Sequence, residues 1–98
     1  MGKLYRHGDV LIQEVEHLPG GLEKLSHRIL AHGEVTGHCH QARGEAELYR
    51  GGGELFLRAV GPVEIVHEEH RTIDLPSGFY RIWRQREYTP REIRLVRD

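Results

Sequence analysis

Short apolar runs separated by turn-forming residues follow one another along the whole chain. Residues 10–15 form an apolar, β-branched run that is typical of a largely buried strand. Residues 63–67 alternate between apolar and polar side chains, as in a strand with one buried face. No stretch keeps an apolar period of about 3.6 residues, so we expect little helix. The pattern predicts an all-β chain.

Turn signals divide the remainder of the chain into further short segments. Proline or glycine marks a loop at residues 18–21 and turns at residues 42–44, 51–53, 61–62 and 76–78. Turns spaced by about eight to twelve residues predict a small barrel or a two-sheet jelly roll of about eight to nine short strands. The other predicted strands lie between these turns, at residues 26–32, 34–41, 45–50, 54–60, 71–75, 79–88 and 92–96.

Length and composition limit the class of protein. The 98 residues have room for one modest core, so we expect a single domain over residues 1–98. The 14 basic and 15 acidic side chains give a formal charge of −1, which creates no global attraction to nucleic acid or to a membrane surface. The single cysteine excludes an intramolecular disulfide, and no apolar run has the length of a signal peptide or a membrane span. We therefore expect a cytoplasmic protein with no membrane partner.

The first and last predicted strands are both rich in apolar alternation. An unpaired strand edge is a liability, because its backbone groups can pair with another chain. We expect these two strands to pair with each other or with a second copy of the protein, and we predict a homo-oligomer.

Eight histidines are the one unusual feature of the composition. His38 and His40 are two residues apart in the predicted strand 34–41, and alternate residues of a strand point to the same face. Two imidazoles on one strand face can bind a divalent transition metal. Cys39 lies on the opposite face, where we expect it to pack rather than to coordinate. Four other histidines have polar neighbours and are expected to be solvated: His7, His17, His27 and His32.

A second pair of histidines, His67 and His70, lies further along the chain. Residues three apart face opposite ways on a regular strand. Either the strand ends at His67 and a turn brings His70 back, or only one of the two is a ligand. We expect three histidine ligands in all, with a water or a carboxylate in the remaining position, as in reactive metal sites. Zn, Ni, Mn, Fe and Cu fit such a site almost equally, which leaves the identity of the metal open. If the site is catalytic, the proton would be moved by Glu45, Glu47 or Glu69.

Arginine and aromatic side chains are concentrated towards the end of the chain. Alternation along the predicted strand 79–88 places Arg81 with Phe79 and Trp83, on what we interpret as the apolar side. We therefore expect Arg81, beside Trp83, to reach into the barrel mouth and bind an anionic small molecule or nucleotide. In the alternative, the arginines pair with glutamates on a solvated face. The near-zero net charge favours that alternative, so nucleic-acid binding is not favoured.

The middle of the chain resembles the first signature of the cupin superfamily, a glycine followed by H-x-H, a glutamate and a second glycine. That resemblance implies a β-barrel in which two histidines and a glutamate on adjacent strands hold a metal. The leading glycine is one residue closer than in the signature, and Glu47 is an equally plausible carboxylate. The matching positions are Gly33, His38, His40, Glu45 and Gly52.

The second cupin signature is partly present. Residues 76–78 read Pro-Ser-Gly, where that signature has its proline-x-glycine, but Arg81 stands where its histidine is expected. The resemblance then implies that His67 or His70 replaces the missing ligand from a different strand.

The whole chain is also similar to a group of short, mostly uncharacterised bacterial and phage proteins. The shared patterns are G-D-V-L at residues 8–11, G-E-V-T-G-H-x-H at 33–40, H-E-E-H at 67–70 and R-Q-R-E-Y at 84–88. This similarity implies the metal site and carries no activity with it. Two functions follow as hypotheses. One is a cupin-like domain that holds a divalent metal and acts on an anionic small molecule or nucleotide. The other is a non-enzymatic module with a structural metal and an arginine and aromatic surface for protein or nucleic acid.

Overall fold

The computed structural model describes residues 2–32 and 37–85. These residues form strands joined by turns and loops, with no helix among them, so the prediction of an all-β domain is confirmed. Within them there is accordingly no helix long and apolar enough to cross a membrane. The eight strands are β1 (Leu4–His7), β2 (Val10–Val15), β3 (Glu23–Lys24), β4 (Ile29–His32), β5 (Cys39–Gly51), β6 (Glu54–His67), β7 (His70–Leu75) and β8 (Gly78–Arg84).

All eight strands belong to one antiparallel sheet. The hydrogen-bonded order is β1-β2-β8-β6-β5-β3, with β4 also paired to β5 and β7 also paired to β6. The path begins and ends on different strands, so the sheet of the described residues is open rather than closed by hydrogen bonds. The predicted strand at residues 92–96 lies outside the described residues.

Two strands are much longer than the turn signals predict. β5 continues through residues 42–44 and β6 continues through residues 61–62, so the prediction of turns at these two places is wrong. The reason is a register shift, in which Gly44 pairs with Val63 and Ala46 pairs with Ala59. The extra residues of β6 are accommodated as a β-bulge, where a proline without an N–H and a glycine are tolerated. We call this irregularity the Gly44 bulge.

The Gly44 bulge divides the two long strands into halves with different partners. The first half of β6 pairs with β8, and the second half pairs with β7. Likewise β4 pairs with the first half of β5, and β3 with the second half. Because β5 and β6 are antiparallel, the start of β5 and the end of β6 lie together. Those are the two places where the candidate ligands occur.

One face of the sheet carries the core. β2 contributes Val10 and Ile12 to this core, both fully buried. Leu11 between them points to the opposite face and is also nearly buried, so the apolar residues 10–12 are buried as predicted. Tyr80 is fully buried, and its hydroxyl donates a hydrogen bond to the carbonyl oxygen of Pro76 at 2.5 Å. That bond satisfies the one polar atom of a large buried side chain. The largest fully buried apolar residues besides these are Leu48, Leu57, Val63, Ile65, Leu75 and Ile82.

We expect Gly44→Ala to destabilise the fold by about 1–3 kcal/mol, the cost of a strained backbone conformation. Gly44 has a φ of 117°, and a Cβ there would lie 2.6 Å from the carbonyl oxygen of Pro62. Urea unfolding monitored by the fluorescence of Trp83 measures the loss. Gly20→Ala is the matched control, because a Cβ at Gly20 meets nothing within 4 Å. Equal losses for the two variants would contradict the role of the bulge.

Candidate metal centre

A two-residue turn brings the second histidine pair together. β6 ends at His67, β7 begins at His70, and the turn between them consists of Glu68 and Glu69. His67 and His70 are therefore direct partners across the hairpin, with ring centroids 4.6 Å apart. Of the two arrangements that the sequence left open, the strand end followed by a turn is the one observed. The spacing of three residues becomes a same-face cross-strand pair.

His40 joins this pair from the neighbouring strand. The β5 residue after it, Gln41, pairs with Val66 of β6, which places His40 beside the end of β6. Its ring centroid lies 4.4 Å from that of His67 and 5.3 Å from that of His70. One potential ligand atom from each of the three histidines lies within 4.8 Å of the others. We call His40, His67 and His70 the three-histidine cluster. Since metal to imidazole bonds are about 2 Å long, small side-chain rotations would bring all three nitrogens to one ion.

Exposure to solvent increases across the three-histidine cluster. His40 is only 2 % exposed, His67 is half-buried, and His70 is exposed. The cluster is therefore anchored in the interior on the β5 side and open on the side of the β6–β7 hairpin. Such a site can admit an ion and still offer a position to a water or another ligand.

His38 lies at the edge of the site. Its ring centroid is 5.9 Å from that of His67, and its Nδ1 lies 3.4 Å from a carboxylate oxygen of Glu69 without making a hydrogen bond. It is not part of the group whose ligand atoms come within 4.8 Å of one another. The same-face argument requires both members of a pair to lie in a strand, whereas β5 begins at Cys39. Coordination by His38 stays a prediction.

The turn of the hairpin is tied to the start of β5. The backbone N–H of Cys39 donates a hydrogen bond to the carboxylate of Glu68 at 3.2 Å. Hydrogen bonds from the backbone N–H groups of Glu68 itself and of Cys39, with the nearby His38 and His67, lower the pKa of that carboxyl group. Glu68 is thus anionic at neutral pH, at the rim of the three-histidine cluster.

His7 is the site residue that the sequence interpretation missed. It was expected to be solvated, but it is 2 % exposed. Its Nδ1 lies 2.8 Å from Nδ1 of His40, and its Nε2 lies 2.9 Å from the carbonyl oxygen of Arg71 in β7. The other three histidines expected in solvent are exposed, as predicted: His17, His27 and His32. A signal for His7 exists in the tight turn that follows it, because Gly8 and Asp9 return the chain so that His7 pairs with the buried Val10.

Burial sets the protonation of the two interior histidines. Desolvation, reinforced by the nearby His67 and His7, lowers the pKa of His40 from 6.5 to about 4. Desolvation also lowers the pKa of His7, against the opposing effect of its hydrogen bond to the carbonyl of Arg71. Both imidazoles are therefore neutral at neutral pH. The neutral imidazole is the form that binds a metal.

An acidic residue supports His40 from the β1–β2 turn. Asp9 Oδ1 lies 3.6 Å from Nε2 of His40, and Nε of Arg84 donates a 2.6 Å hydrogen bond to Asp9 Oδ2. Gly8, with a φ of 65°, precedes it and passes close to the site. A Cβ at Gly8 would lie 2.9 Å from Nε2 of His70 and 3.0 Å from Cε1 of His40. A side chain at this position would crowd the two rings and would strain a backbone with positive φ, so the close approach of the turn favours glycine.

The expected anion-binding residues lie on the other face of the sheet. In β8 the core residues are Tyr80 and Ile82, so taking the side of Arg81 as the buried side was wrong. Nε and Nη2 of Arg81 both donate hydrogen bonds to one carboxylate oxygen of Glu54. The guanidinium carbon of Arg81 lies 4.6 Å from the ring centroid of Trp83. Ligand binding by Arg81 and Trp83 stays a prediction. An anionic ligand would have to compete with Glu54 for the guanidinium group of Arg81.

Of the three candidate proton carriers, only Glu69 lies beside the histidines. Glu45 lies at the Gly44 bulge, against Gly61. Glu47 lies beyond the bulge and accepts hydrogen bonds from Tyr49, Arg58 and Lys24. Those three bonds, with the one from Tyr49 as the largest contribution, lower the pKa of Glu47 from 4.5 to about 2. Glu47 is therefore charged at neutral pH and lies at the centre of a surface ion cluster.

Fold and site together define a small all-β domain with a candidate metal centre built from histidines of three strands. The chain belongs to the domain of unknown function family DUF8820, whose profile matches residues 6–85. That span contains the whole three-histidine cluster together with His7. No curated protein and no solved structure matches the chain.

We expect Glu47→Gln to reduce the acid sensitivity of the fold. A carboxyl group whose pKa is lower in the folded state stabilises that state above its unfolded pKa, and this contribution disappears as the pH falls through the folded pKa. The wild-type protein should therefore lose more stability than the variant between pH 4.5 and about pH 2. Urea midpoints across that interval measure the difference. The exposed Glu16→Gln is the control, and a parallel pH dependence of wild type and Glu47→Gln would contradict the prediction.

Proposed function

We propose that this protein binds one divalent transition metal ion through His40, His67 and His70. The observation that carries the proposal is the convergence of three imidazole nitrogens within 4.8 Å of one another, from β5 and from both strands of the β6–β7 hairpin. Imidazole is a preferred ligand of Zn, Ni, Fe and Cu, and less so of Mn, which favours oxygen. We infer that the bound ion is one of these five metals, with Mn the least favoured.

Local charge supports a cation at this place. The interior His40 is neutral at neutral pH, so it adds no repulsion to an entering ion. Carboxylates of Asp9, Glu68 and Glu69 lie around the cluster, within hydrogen-bond or ion-pair distance of the site histidines or of the start of β5. The negative charge of these carboxylates attracts cations to the site.

A bound ion of this kind polarises a carbonyl or phosphoryl oxygen or lowers the pKa of a bound water. Among the three glutamates considered from the sequence, Glu69 is the candidate for moving a proton there, because its carboxylate lies at the edge of the cluster, 3.4 Å from Nδ1 of His38. The hypothesis that the substrate is an anionic small molecule or nucleotide depends on binding by Arg81 and Trp83. Because Arg81 is paired with Glu54, metal binding rather than turnover is the central proposal.

A second candidate function is a closed metal site that only stabilises the fold. The observation in its favour is His38, whose Nδ1 is buried without a hydrogen-bond partner and lies near the ring of His67. Rotation of His38 towards the ion would complete a four-histidine shell. A shell of four protein ligands is typical of structural zinc sites, whereas three ligands and a free position are typical of catalytic ones.

Metal titration of single-histidine variants tests both candidates. Metal-free protein without a histidine tag should bind about one equivalent of at least one of Zn²⁺, Ni²⁺, Cu²⁺, Fe²⁺ and Mn²⁺ in calorimetry. His70→Ala, at an exposed position that tolerates truncation, should weaken binding more than about tenfold. His17→Ala, also exposed, should leave it unchanged.

His38→Ala separates the two candidates. Unchanged affinity supports the open three-histidine site, and a loss comparable to that of His70→Ala supports the closed site. Wild-type protein that takes up less than about a tenth of an equivalent of every ion would overturn the metal proposal.

Metal binding should also release a backbone hydrogen bond in the hairpin turn. The N–H of Glu69 donates to Nδ1 of His67 at 2.9 Å. If His67 coordinates through Nδ1, the metal takes that lone pair, and if it coordinates through Nε2, the ring proton moves to Nδ1. The Glu69 amide loses its acceptor either way.

Amide NMR spectra recorded with and without a diamagnetic ion, Zn²⁺, follow this change. The Glu69 resonance should shift upfield and exchange faster with solvent once the ion is bound. The amide of Ile29 donates in the same way to Nδ1 of the exposed His27 and is the internal control. A Glu69 amide that is unaffected at saturating metal would exclude His67 as a ligand.

A further inference from the structure

We propose that His7 is a positioning residue that fixes the tautomer of His40 and leaves Nε2 of His40 as its metal-binding atom. This inference rests on the proposed function, since it names the residue that prepares one ligand of the proposed site. It concerns a hydrogen-bond relay that runs from the backbone of β7 through two buried rings, Arg71 to His7 to His40.

The relay begins at a group with a fixed role. The carbonyl oxygen of Arg71 can only accept a hydrogen bond, and it lies 2.9 Å from Nε2 of His7. Nε2 of His7 must therefore carry a proton. A neutral imidazole has one ring proton, so Nδ1 of His7 presents a lone pair.

The direction of the next bond follows from that lone pair. Nδ1 of His40 lies 2.8 Å from Nδ1 of His7, a distance at which one of the two nitrogens must donate. Because Nδ1 of His7 is the acceptor, Nδ1 of His40 is the donor. The single ring proton of His40 is then on Nδ1, and Nε2 is left with the lone pair that coordinates a metal.

The relay distinguishes His40 from the ligand next to it. In His67 the Nδ1 atom accepts a hydrogen bond from the N–H of Glu69, so this ring must change partner when an ion binds. His40 needs no such change. It is also buried, whereas His67 and His70 are progressively exposed. We infer that His40 is the preorganised ligand of the site and that the hairpin ligands adjust to the ion.

The anchor of the relay also lies next to a ligand. Arg71 follows His70 in β7, so the backbone that holds His7 is continuous with the backbone that carries His70. His7 itself ends β1, and β1 has no ladder hydrogen bonds to β7 in the described sheet. The side chain of His7 thus connects these two strands, and the connection fixes the distance between the β5 ligand and the β7 ligand.

Direct observation of the tautomers tests the proposal on the metal-free 98-residue protein. Long-range ¹H–¹⁵N correlation spectra of histidine-labelled protein at pH 7.5 assign the protonated nitrogen of each ring. We expect protonated Nε2 in His7 and protonated Nδ1 in His40, with a scalar coupling across the hydrogen bond between the two Nδ1 atoms. Protonated Nε2 in His40 would overturn the proposal. This readout requires no metal, so it is independent of whether the proposed function is correct.

Two variants of His7 separate positioning from simple packing. His7→Gln keeps an acceptor for His40 and a donor for the carbonyl of Arg71, whereas His7→Leu keeps a similar volume and removes both. We expect His7→Leu to lose the exclusive Nδ1 protonation of His40 and to weaken Zn²⁺ binding by about 10–100-fold, and His7→Gln to restore most of both. His17→Leu is the control for the loss of one imidazole at an exposed position.

The outcomes are distinct. If both variants bind Zn²⁺ as the wild type does, His7 does not position the ligand and the proposal is overturned. If His7→Leu does not fold, the tautomers of the wild type and the affinity of His7→Gln decide the question. If the wild type shows the expected tautomers and binds no ion, the relay is correct and the metal function is wrong.

Discussion

The burial of one imidazole, that of His40, is the constraint on which the site depends. A polar ring that is 2 % exposed has lost its water, and an unsatisfied nitrogen there costs about 1–3 kcal/mol. The protein meets this cost at Nδ1, which lies within hydrogen-bond distance of Nδ1 of His7 at the end of β1. The ring also packs against His67, and Asp9 of the β1–β2 turn lies 3.6 Å from Nε2. Those contacts hold the turn of β1–β2 against the hairpin of β6–β7, although the sheet is not closed there by ladder hydrogen bonds.

The Gly44 bulge makes this convergence compatible with a single sheet. Without an irregularity, β6 would keep one partner along its whole length. The register shift between Gly44 and Ala46 lets β6 change partner from β8 to β7. Both halves of β6 contribute to the apolar core, Leu57 from the half that pairs with β8 and Ile65 from the half that pairs with β7. His67 lies at the end of the second half, so the change of partner places it opposite His70, and β-bulges commonly occur beside functional sites.

Features with a local cause could be predicted from the sequence. The apolar run of β2 depends only on the residues within it. The turn that pairs His67 with His70 was one of two arrangements that the sequence left open, and His40 could be named as a candidate ligand from its residue type and spacing. What the sequence could not supply was set by distant parts of the chain. A glycine and a proline signal a turn and a bulge equally well, so the register of β5 against β6 could not be predicted. His7 depends on the approach of β1 to β7, and the turn at Gly8 and Asp9 signals only the pairing of His7 with Val10.

The face of β8 shows a different kind of limit. Alternation assigned Arg81 and Trp83 correctly to one side and Tyr80 and Ile82 to the other, but it cannot say which side is buried when both carry aromatic residues. The sheet decides this through its neighbours: Ile82 pairs with Ile12 and Leu55, and Tyr80 pairs with Leu57. Arg81 was left on the outer face, where Glu54 from β6 is its partner.

Charge sets the order in which ligands can arrive at the site. The two interior histidines are neutral because burial lowers the pKa of each, and the pKa of Glu68 at the rim is lowered as well. The site therefore combines two neutral interior rings with an anionic carboxylate at its rim. An anion would meet repulsion at this rim, whereas a divalent cation would be attracted and would reverse the sign of the local field. On the proposed function, an anionic molecule would bind at this site only after the metal, because the metal would be the positive charge that holds it.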